Sequence, residues 1–278
     1  MAQSMQPVPS MQPVQTSPTV DMPSEIYQQA GMYQLGTPVA AYKPLLGSPL
    51  AIIGMMLGVI IVDVLLFYII YSLGYILYIL LAIPIAAIAY GIYAFIDYKL
   101  RVYQFANGIV HAKGQQIATI RWDQIDAIWI KLMRQRYYIG IAGALASAMA
   151  SSRRTQSITV RRVDGATFKF TNMLRGHVQL MQSIEQAVMQ AHMPRAVAAY
   201  QSGQVIPFGP LTVGRQGMGN GRETIPWQEV QNVDVKRGYL QVKRAGKTFN
   251  WANVDVSKIP NLLVFVSLVN GVRSGQIR

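Results

Sequence analysis

The feature that most constrains this chain is a long stretch almost free of charge. Between Leu45 and Ile96, Asp63 is the only ionisable acid or base. The apolar part, from Pro49 to Phe95, would make a single helix of roughly 70 Å, whereas the hydrocarbon core of a bilayer is about 30 Å thick. We therefore predict a transmembrane helical hairpin within residues 45–97, with helices at about 49–71 and 74–95.

Basic residues beside this stretch predict its orientation. Lys43, Lys99 and Arg101 lie at the outer ends, and the turn between the helices has none. The positive-inside rule then predicts a multi-pass protein of the cytoplasmic membrane with both termini in the cytosol. Asp63 is costly inside a span and is a candidate functional residue there. We favour a structural hydrogen bond to the partner helix or to a second copy, because a proton relay needs more polar partners than these spans offer.

The first 44 residues have a different composition, rich in Met, Gln, Pro and Ser. Such a segment cannot bury enough apolar surface to offset its chain entropy, so we predict a disordered tail over residues 1–44. The N-terminus lacks a basic region followed at once by an apolar core, and a cleaved secretory signal is therefore not expected.

The remainder of the chain is strongly basic. The net charge is +13, and residues 98–278 hold 24 of the 25 Lys and Arg against 8 acids. A basic region beside a membrane anchor is attracted to anionic lipid head groups, at about 1 kcal/mol for each nearby base. Nucleic acid is the competing partner for such a charge balance. The absence of cysteine excludes disulfides, thiolate nucleophiles and cysteine-bound zinc.

After Arg101 the hydrophobic pattern becomes that of β-strands. Asn107-Gly108 and Asp164-Gly165 predict two hairpin turns between alternating segments. From Leu174 the apolar residues follow the spacing of one helix face, which we predict to end at Pro194. About seven strands followed by one helix predict a pleckstrin-homology-like (PH-like) β-barrel module over residues 98–194.

The same pattern recurs further along the chain. Residues 119–125 match residues 224–230, and residues 165–170 match residues 246–251, in the same order. Trp122 and Gly165 of the first copy are 43 positions apart, and Trp227 and Gly246 of the second are 19 apart. The first copy therefore carries an insertion of 24 residues. This predicts a second PH-like β-barrel module over residues 195–278, also with a C-terminal helix. The predicted fold class is therefore that of an α+β membrane protein. The Ala/Gly-rich insertion, residues 134–157, is predicted to be a loop or a helix lying on the membrane surface.

Six short motifs carry a resemblance to known sequences. They are Phe105-Ala106-Asn107-Gly108, Arg121-Trp122-Asp123-Gln124, Phe208-Gly209-Pro210-Leu211, Ile225-Pro226-Trp227, Val235-Lys236-Arg237-Gly238-Tyr239 and Phe249-Asn250-Trp251-Ala252-Asn253-Val254. From about Arg101 to the C-terminus, the chain resembles a bacterial family of uncharacterised membrane proteins with tandem PH-like modules. The resemblance implies the fold and a membrane association, and it supplies no site residues.

No motif predicts catalysis, a metal site or a cofactor. The glycine-rich segment 214–221 lacks the following helix and the lysine of a phosphate-binding loop. Asp123 and Asp126 have no nucleophile beside them, and the three histidines lack the spacing of metal ligands. The four tryptophans could stack on single-stranded nucleic acid, but two occupy the same repeat position, which favours packing.

These observations predict a non-enzymatic, membrane-anchored binding or scaffold protein. Its basic modules would engage anionic lipid head groups or a protein partner, and a homo-oligomer is possible. The bases predicted to make these contacts are Arg134, Arg136, Arg153, Arg154, Arg161, Arg162, Lys236, Arg237, Lys243, Arg244 and Lys247. The alternative for each of these bases is that it belongs to a solvated positive face, which reflects only the positive-inside rule. Two other functions remain as alternatives: a small transporter or channel component that uses Asp63, and a membrane-tethered nucleic-acid binder.

Overall fold

The computed structural model describes residues 22–72, 82–132 and 155–277. In these ranges the chain forms five helices and fourteen strands, which confirms the predicted α+β class. The helices are α1 (Ser24–Met32), α2 (Pro49–Ser72), α3 (Ala82–Asp97), α4 (His177–Gln201) and α5 (Leu262–Arg273). The strands are β1 (Pro38–Tyr42), β2 (Leu100–Phe105), β3 (Gly108–Lys113), β4 (Gln116–Arg121), β5 (Ile125–Leu132), β6 (Thr155–Arg162), β7 (Thr167–Thr171), β8 (Ile206–Phe208), β9 (Leu211–Gly214), β10 (Gly217–Gly219), β11 (Thr224–Ile225), β12 (Val230–Lys236), β13 (Tyr239–Arg244) and β14 (Asn250–Asp255).

The strands form four antiparallel sheets in an order that occurs twice along the chain. Strands β1–β4 make a four-stranded sheet, β5–β7 make a three-stranded sheet, and α4 follows. Strands β8–β11, β12–β14 and then α5 repeat this order. Both predicted hairpin turns are present, before β3 and between β6 and β7. Among the described residues the sheets do not close into a barrel, so the predicted barrels are not confirmed.

The two halves of the protein share one hydrophobic core and a direct backbone connection. Fully buried Ile158 and Phe170 of the first half belong to the same cluster as Leu240 of the second. Asn261 precedes α5 in a left-handed conformation, and its backbone N–H donates to the carbonyl of Ile128 at 2.8 Å. Its side-chain oxygen accepts from the N–H of Ile128 at 2.9 Å. Because β5 is an edge strand, these bonds satisfy backbone groups that would otherwise be open for pairing.

The two apolar helices pack against each other in antiparallel directions. Ile52 of α2 clusters with Ala94 of α3, and Met56 lies against Gly91. The later residue of α2 therefore contacts the earlier residue of α3, as antiparallel packing requires. In the described part of the chain, α2 alone is long and apolar enough to cross a membrane. Helix α3 is apolar but shorter. The predicted second span begins within residues 73–81, which lie outside the described ranges.

The N-terminal region is ordered over a longer stretch than the sequence predicts. Met22, Ile26 and Ala30 recur at four-residue spacing, and all three are buried with Leu35 against the sheet that contains β2. Strand β1 pairs with β2 in the same region. The prediction of a disordered tail is therefore wrong for residues 22–44, because the average composition conceals one apolar helix face. Residues 1–21 lie outside the described ranges.

Helix α4 and strand β6 both extend past their predicted limits. Helix α4 continues through Pro194 to Gln201, so the prediction that this proline ends the helix is wrong. Proline removes one backbone hydrogen bond, but Ala196 and Tyr200 beyond it are buried in the core and hold the last turns in place. Strand β6 begins at Thr155, inside the predicted insertion, and residues 134–154 lie outside the described ranges.

We expect Leu35→Ala to destabilise the protein by roughly 2–4 kcal/mol, because it removes a side chain with no exposed surface from the α1–sheet contact. Val39→Ala is the matched control, since Val39 is 50% exposed and its truncation should cost less than about 1 kcal/mol. Denaturant unfolding of both variants in detergent checks this, and equal costs would show that the N-terminal contact contributes nothing.

Candidate membrane-binding site

A buried carboxylate joins the end of the apolar helices to the sheets. Asp97 is the last residue of α3 and only 8% exposed. Its Oδ1 accepts from Lys113 Nζ of β3 at 3.3 Å, and its Oδ2 accepts from Thr171 Oγ1 of β7 at 3.0 Å. Since a buried carboxylate is costly without such partners, these bonds fix the direction in which α3 leaves the first half.

The start of α2 is attached to the same place. The backbone N–H of Leu45 donates to the carbonyl of Met173 at 2.7 Å, and the N–H of Arg175 donates to the carbonyl of Lys43 at 2.8 Å. The side chain of Met173 is buried with Ile52 and Ala94 of the two helices. Both apolar helices are therefore held by the segment that follows β7, and they continue directly from the first half.

Four bases surround this attachment, and we call them the junction bases: Lys43, Lys99, Arg101 and Arg175. In the described part of the chain none of them forms an ion pair with a carboxylate. Arg101 donates through Nη1 to the carbonyls of Tyr98 and Leu100, at 3.0 and 3.1 Å. Lys99 lies over the ring of Tyr98 with its Nζ 5.5 Å from the centroid. Their positive charge is therefore available to an external anion.

Two of the predicted lipid-binding bases of the first half, Arg161 and Arg162, are engaged within the protein. Arg161 pairs with Asp126 at 2.6 Å and stacks over Trp129 with 4.9 Å between guanidinium and ring centroid. Arg162 pairs with Asp164, whose carboxylate also accepts from the backbone N–H of Ala166. These two contacts lower the pKa of Asp164 to about 2. The other predicted bases of this half, Arg134, Arg136, Arg153 and Arg154, lie outside the described residues.

The predicted bases of the second half divide into paired and exposed groups. Lys236 pairs with Asp234 at 3.0 Å, and Arg244 pairs with Glu229 at 2.5 Å. Arg237 lies in the turn between β12 and β13 with a positive φ of 52°. Lys243 and Lys247 are exposed, and the described residues provide no carboxylate partner for either. The sequence assigns Lys43, Lys99 and Arg101 to orientation only, although their position beside the apolar stretch is a signal for lipid contact. Arg175 is distant in sequence and is brought to the junction by the fold.

Asp63 lies between the two apolar helices. It is only 6% exposed, and its Oδ1 has no hydrogen-bond partner among the described residues. It follows Ile52 by eleven residues, close to three full helical turns, so both lie on the face of α2 that packs on α3. The one acid of the apolar stretch is thus buried on the face of α2 that packs on α3, and among the described residues its Oδ1 accepts no hydrogen bond from the partner helix.

The tryptophans that align in the repeat occupy equivalent positions. Each begins a short 3-10 turn, and each indole N–H donates at 3.0 Å to a backbone carbonyl, from Trp122 to Ala106 and from Trp227 to Gly214. Both side chains pack against the shared core. These contacts account for the two tryptophans through packing and hydrogen bonding within the protein.

The structure defines a class: an α+β protein in which an apolar helix pair is fastened to twice-repeated antiparallel sheets. The chain belongs to a family of unknown function, DUF6585, whose match covers residues 1–278. No curated protein and no solved structure matches the chain. The predicted resemblance to an uncharacterised family is thereby confirmed.

Close to the junction, His111 is held in an aromatic environment. Its ring lies 5.4 Å from that of Phe168 and 5.7 Å from that of Phe170. Burial, reinforced by the charge of Lys113, lowers the pKa of His111. The folded protein therefore binds the proton that charges His111 more weakly than the unfolded chain does. The contribution of His111 to the free energy of unfolding is complete above about pH 6.5 and is lost as the pH falls.

We expect the unfolding temperature to fall between pH 7.5 and pH 5.5, and to fall less in His111→Phe, which keeps an apolar ring between Phe168 and Phe170. Thermal unfolding in detergent, followed by circular dichroism at both pH values, measures the difference. An equal fall in the wild type and the variant would show that His111 does not cause it.

Proposed function

We propose that this protein is a non-enzymatic, membrane-anchored binding or scaffold protein whose basic surface engages anionic lipid head groups. The observation that carries the proposal is the coincidence of the apolar helices and the junction bases at one end of the first half. An apolar helix pair needs lipid around it, and bases at its ends then lie at the depth of lipid phosphates. A protein partner at the membrane surface is the alternative ligand.

Exposed apolar surface supports the membrane anchor. Leu50 and Tyr68 of α2 are 79% and 71% exposed, and Ile85 of α3 is 69% exposed. A water-soluble protein rarely leaves so large a contiguous apolar surface uncovered. The 24 residues of α2 give a length of about 36 Å, enough for the hydrocarbon core. The cytosolic orientation of both termini rests on the placement of the bases.

The order of the sheets supports the PH-like interpretation. Four antiparallel strands, then three antiparallel strands, then one helix is the order expected for such a module, and the chain follows it twice. In this interpretation β1 is the first strand of the first module, and the apolar helices are inserted between its first and second strands. The first module would then begin near residue 38 and end with α4 at Gln201, beyond the predicted limits of 98 and 194.

Internal pairing decides which bases can contribute to lipid binding. Arg161, Arg162, Lys236 and Arg244 already have carboxylate partners, so an anionic lipid would have to compete with those carboxylates. The junction bases, with Lys243 and Lys247, have no such competitor among the described residues. Electrostatic attraction to the membrane should therefore come first from the junction bases.

We expect phosphatidylglycerol to raise the unfolding temperature of the full-length protein in neutral detergent more than phosphatidylcholine does, because it binds the folded state. The difference should shrink when salt is raised to about 0.5 M, since exposed charges are screened. The double substitution Lys43→Gln and Arg175→Gln should reduce the difference between the two lipids. The double substitution Lys243→Gln and Lys247→Gln removes the same charge and is the matched control. Equal shifts with both lipids, or a larger shift with RNA, would contradict the proposal.

Asp63 supports a second candidate, a small transporter or channel component. A carboxylate oxygen without a described partner, enclosed between two apolar helices, is unusual unless it serves function or assembly. If this is its role, reconstituted vesicles should show a proton flux that Asp63→Asn abolishes. A flux that survives the substitution, or no flux from the unaltered protein, would count against this candidate.

A further inference from the structure

A small cavity lies where the N-terminal helix meets the ends of the apolar helices. Its volume is about 290 Å³, near the lower end for ligand pockets. The start of α1 contributes its N-cap residue Pro23 and Glu25 of its first turn. The chain just before α2 contributes Gly47, and the chain after α3 contributes Tyr98 and Lys99. Because its walls include residues within two positions of both apolar helices, an anchored protein holds this cavity at the depth of lipid head groups.

The cavity contains opposite charges that do not pair with each other. Lys99, Arg101 and Glu25 all line it, yet Glu25 forms no ion pair with either base. Both kinds of charge therefore remain available to a ligand that occupies the cavity. A ligand with a phosphate and an ammonium separated by a short linker has the complementary arrangement.

The two bases are positioned for a phosphate. Alternate residues of a strand share one face, so Arg101, Tyr103 and Phe105 lie on the face of β2 that α1 covers. Its Nη1 is held by two backbone carbonyls, which orients the guanidinium and leaves its other N–H groups for a ligand. Lys99 follows Tyr98 directly and supplies a second cation at the same wall.

We propose that this cavity binds a phosphoethanolamine head group, with the phosphate on Lys99 and Arg101 and the ammonium on Glu25. This inference rests on the proposed membrane anchoring and makes it more specific. It adds a zwitterionic ligand to a protein whose net charge alone would favour anionic lipids. The carboxylate of Glu25 is the distinguishing group, because it would repel a purely anionic head group and attract an ammonium.

The test uses the full-length protein in detergent micelles and native mass spectrometry with three added lipids: phosphatidylethanolamine, phosphatidylcholine and phosphatidylglycerol. We expect the ethanolamine lipid to bind roughly tenfold more tightly than the choline lipid, because its ammonium donates hydrogen bonds to a carboxylate. Glu25→Gln should abolish this preference and keep binding of phosphatidylglycerol. Lys99→Gln with Arg101→Gln should weaken binding of all three.

Lys169→Gln is the matched control, since it removes an exposed base that neither lines the cavity nor belongs to the junction bases. It should leave the ratio between ethanolamine and choline lipids unchanged. Circular dichroism of each variant verifies folding, and Glu25 is exposed, so its substitution should leave the fold intact.

Soluble competitors separate a head-group site from a simple phosphate site. Free phosphoethanolamine should displace the ethanolamine lipid, and inorganic phosphate at the same concentration should displace less. Equal displacement by both, or an ethanolamine preference that survives Glu25→Gln, would overturn the inference. In either case a preference for phosphatidylglycerol over phosphatidylcholine would leave the proposed function standing, whereas loss of that preference would remove it separately.

Discussion

The arrangement of this protein depends on the contact between Asp97 and its two partners, Lys113 and Thr171. The carboxylate ends an apolar helix and is buried, so it is stable only while a cation from β3 and a hydroxyl from β7 remain in place. Strands β3 and β7 belong to different sheets. One side chain therefore fixes the end of α3 to both sheets of the first half.

The position of the helices in the chain strengthens this connection. They separate β1 from β2, which are neighbours in one sheet, so the chain leaves the sheet at Tyr42 and returns to it at Leu100. The first and last residues of the helix pair are then close together because the sheet requires it. A helix pair inserted this way has two covalent attachments to the sheet, which restricts its tilting more than a single linker does.

Particular residues show how far sequence reasoning could reach. The hairpin turns at Asn107-Gly108 and Asp164-Gly165 lie where the sequence predicts them, and the tryptophans of the repeat occupy equivalent 3-10 turns, because local patterns determine both. The N-terminal helix was missed because three buried residues lie among polar and proline-rich neighbours. The ion pair between Arg161 and Asp126 joins positions 35 apart through strand pairing, and no local pattern shows that the arginine is engaged.

The same limit explains why the candidate site differs from the bases that the sequence favoured. A count of Lys and Arg cannot separate a base with an internal carboxylate from one without. The fold provides carboxylates for Arg162 and Arg244, on β6 and β13, and provides none among the described residues for Lys99 and Arg101 at the junction. In the proposed anchoring, a base beside an apolar helix would take its anion from the lipid surface, and an internal partner would compete with that contact. The junction bases, which have no carboxylate partner among the described residues, fit that proposal.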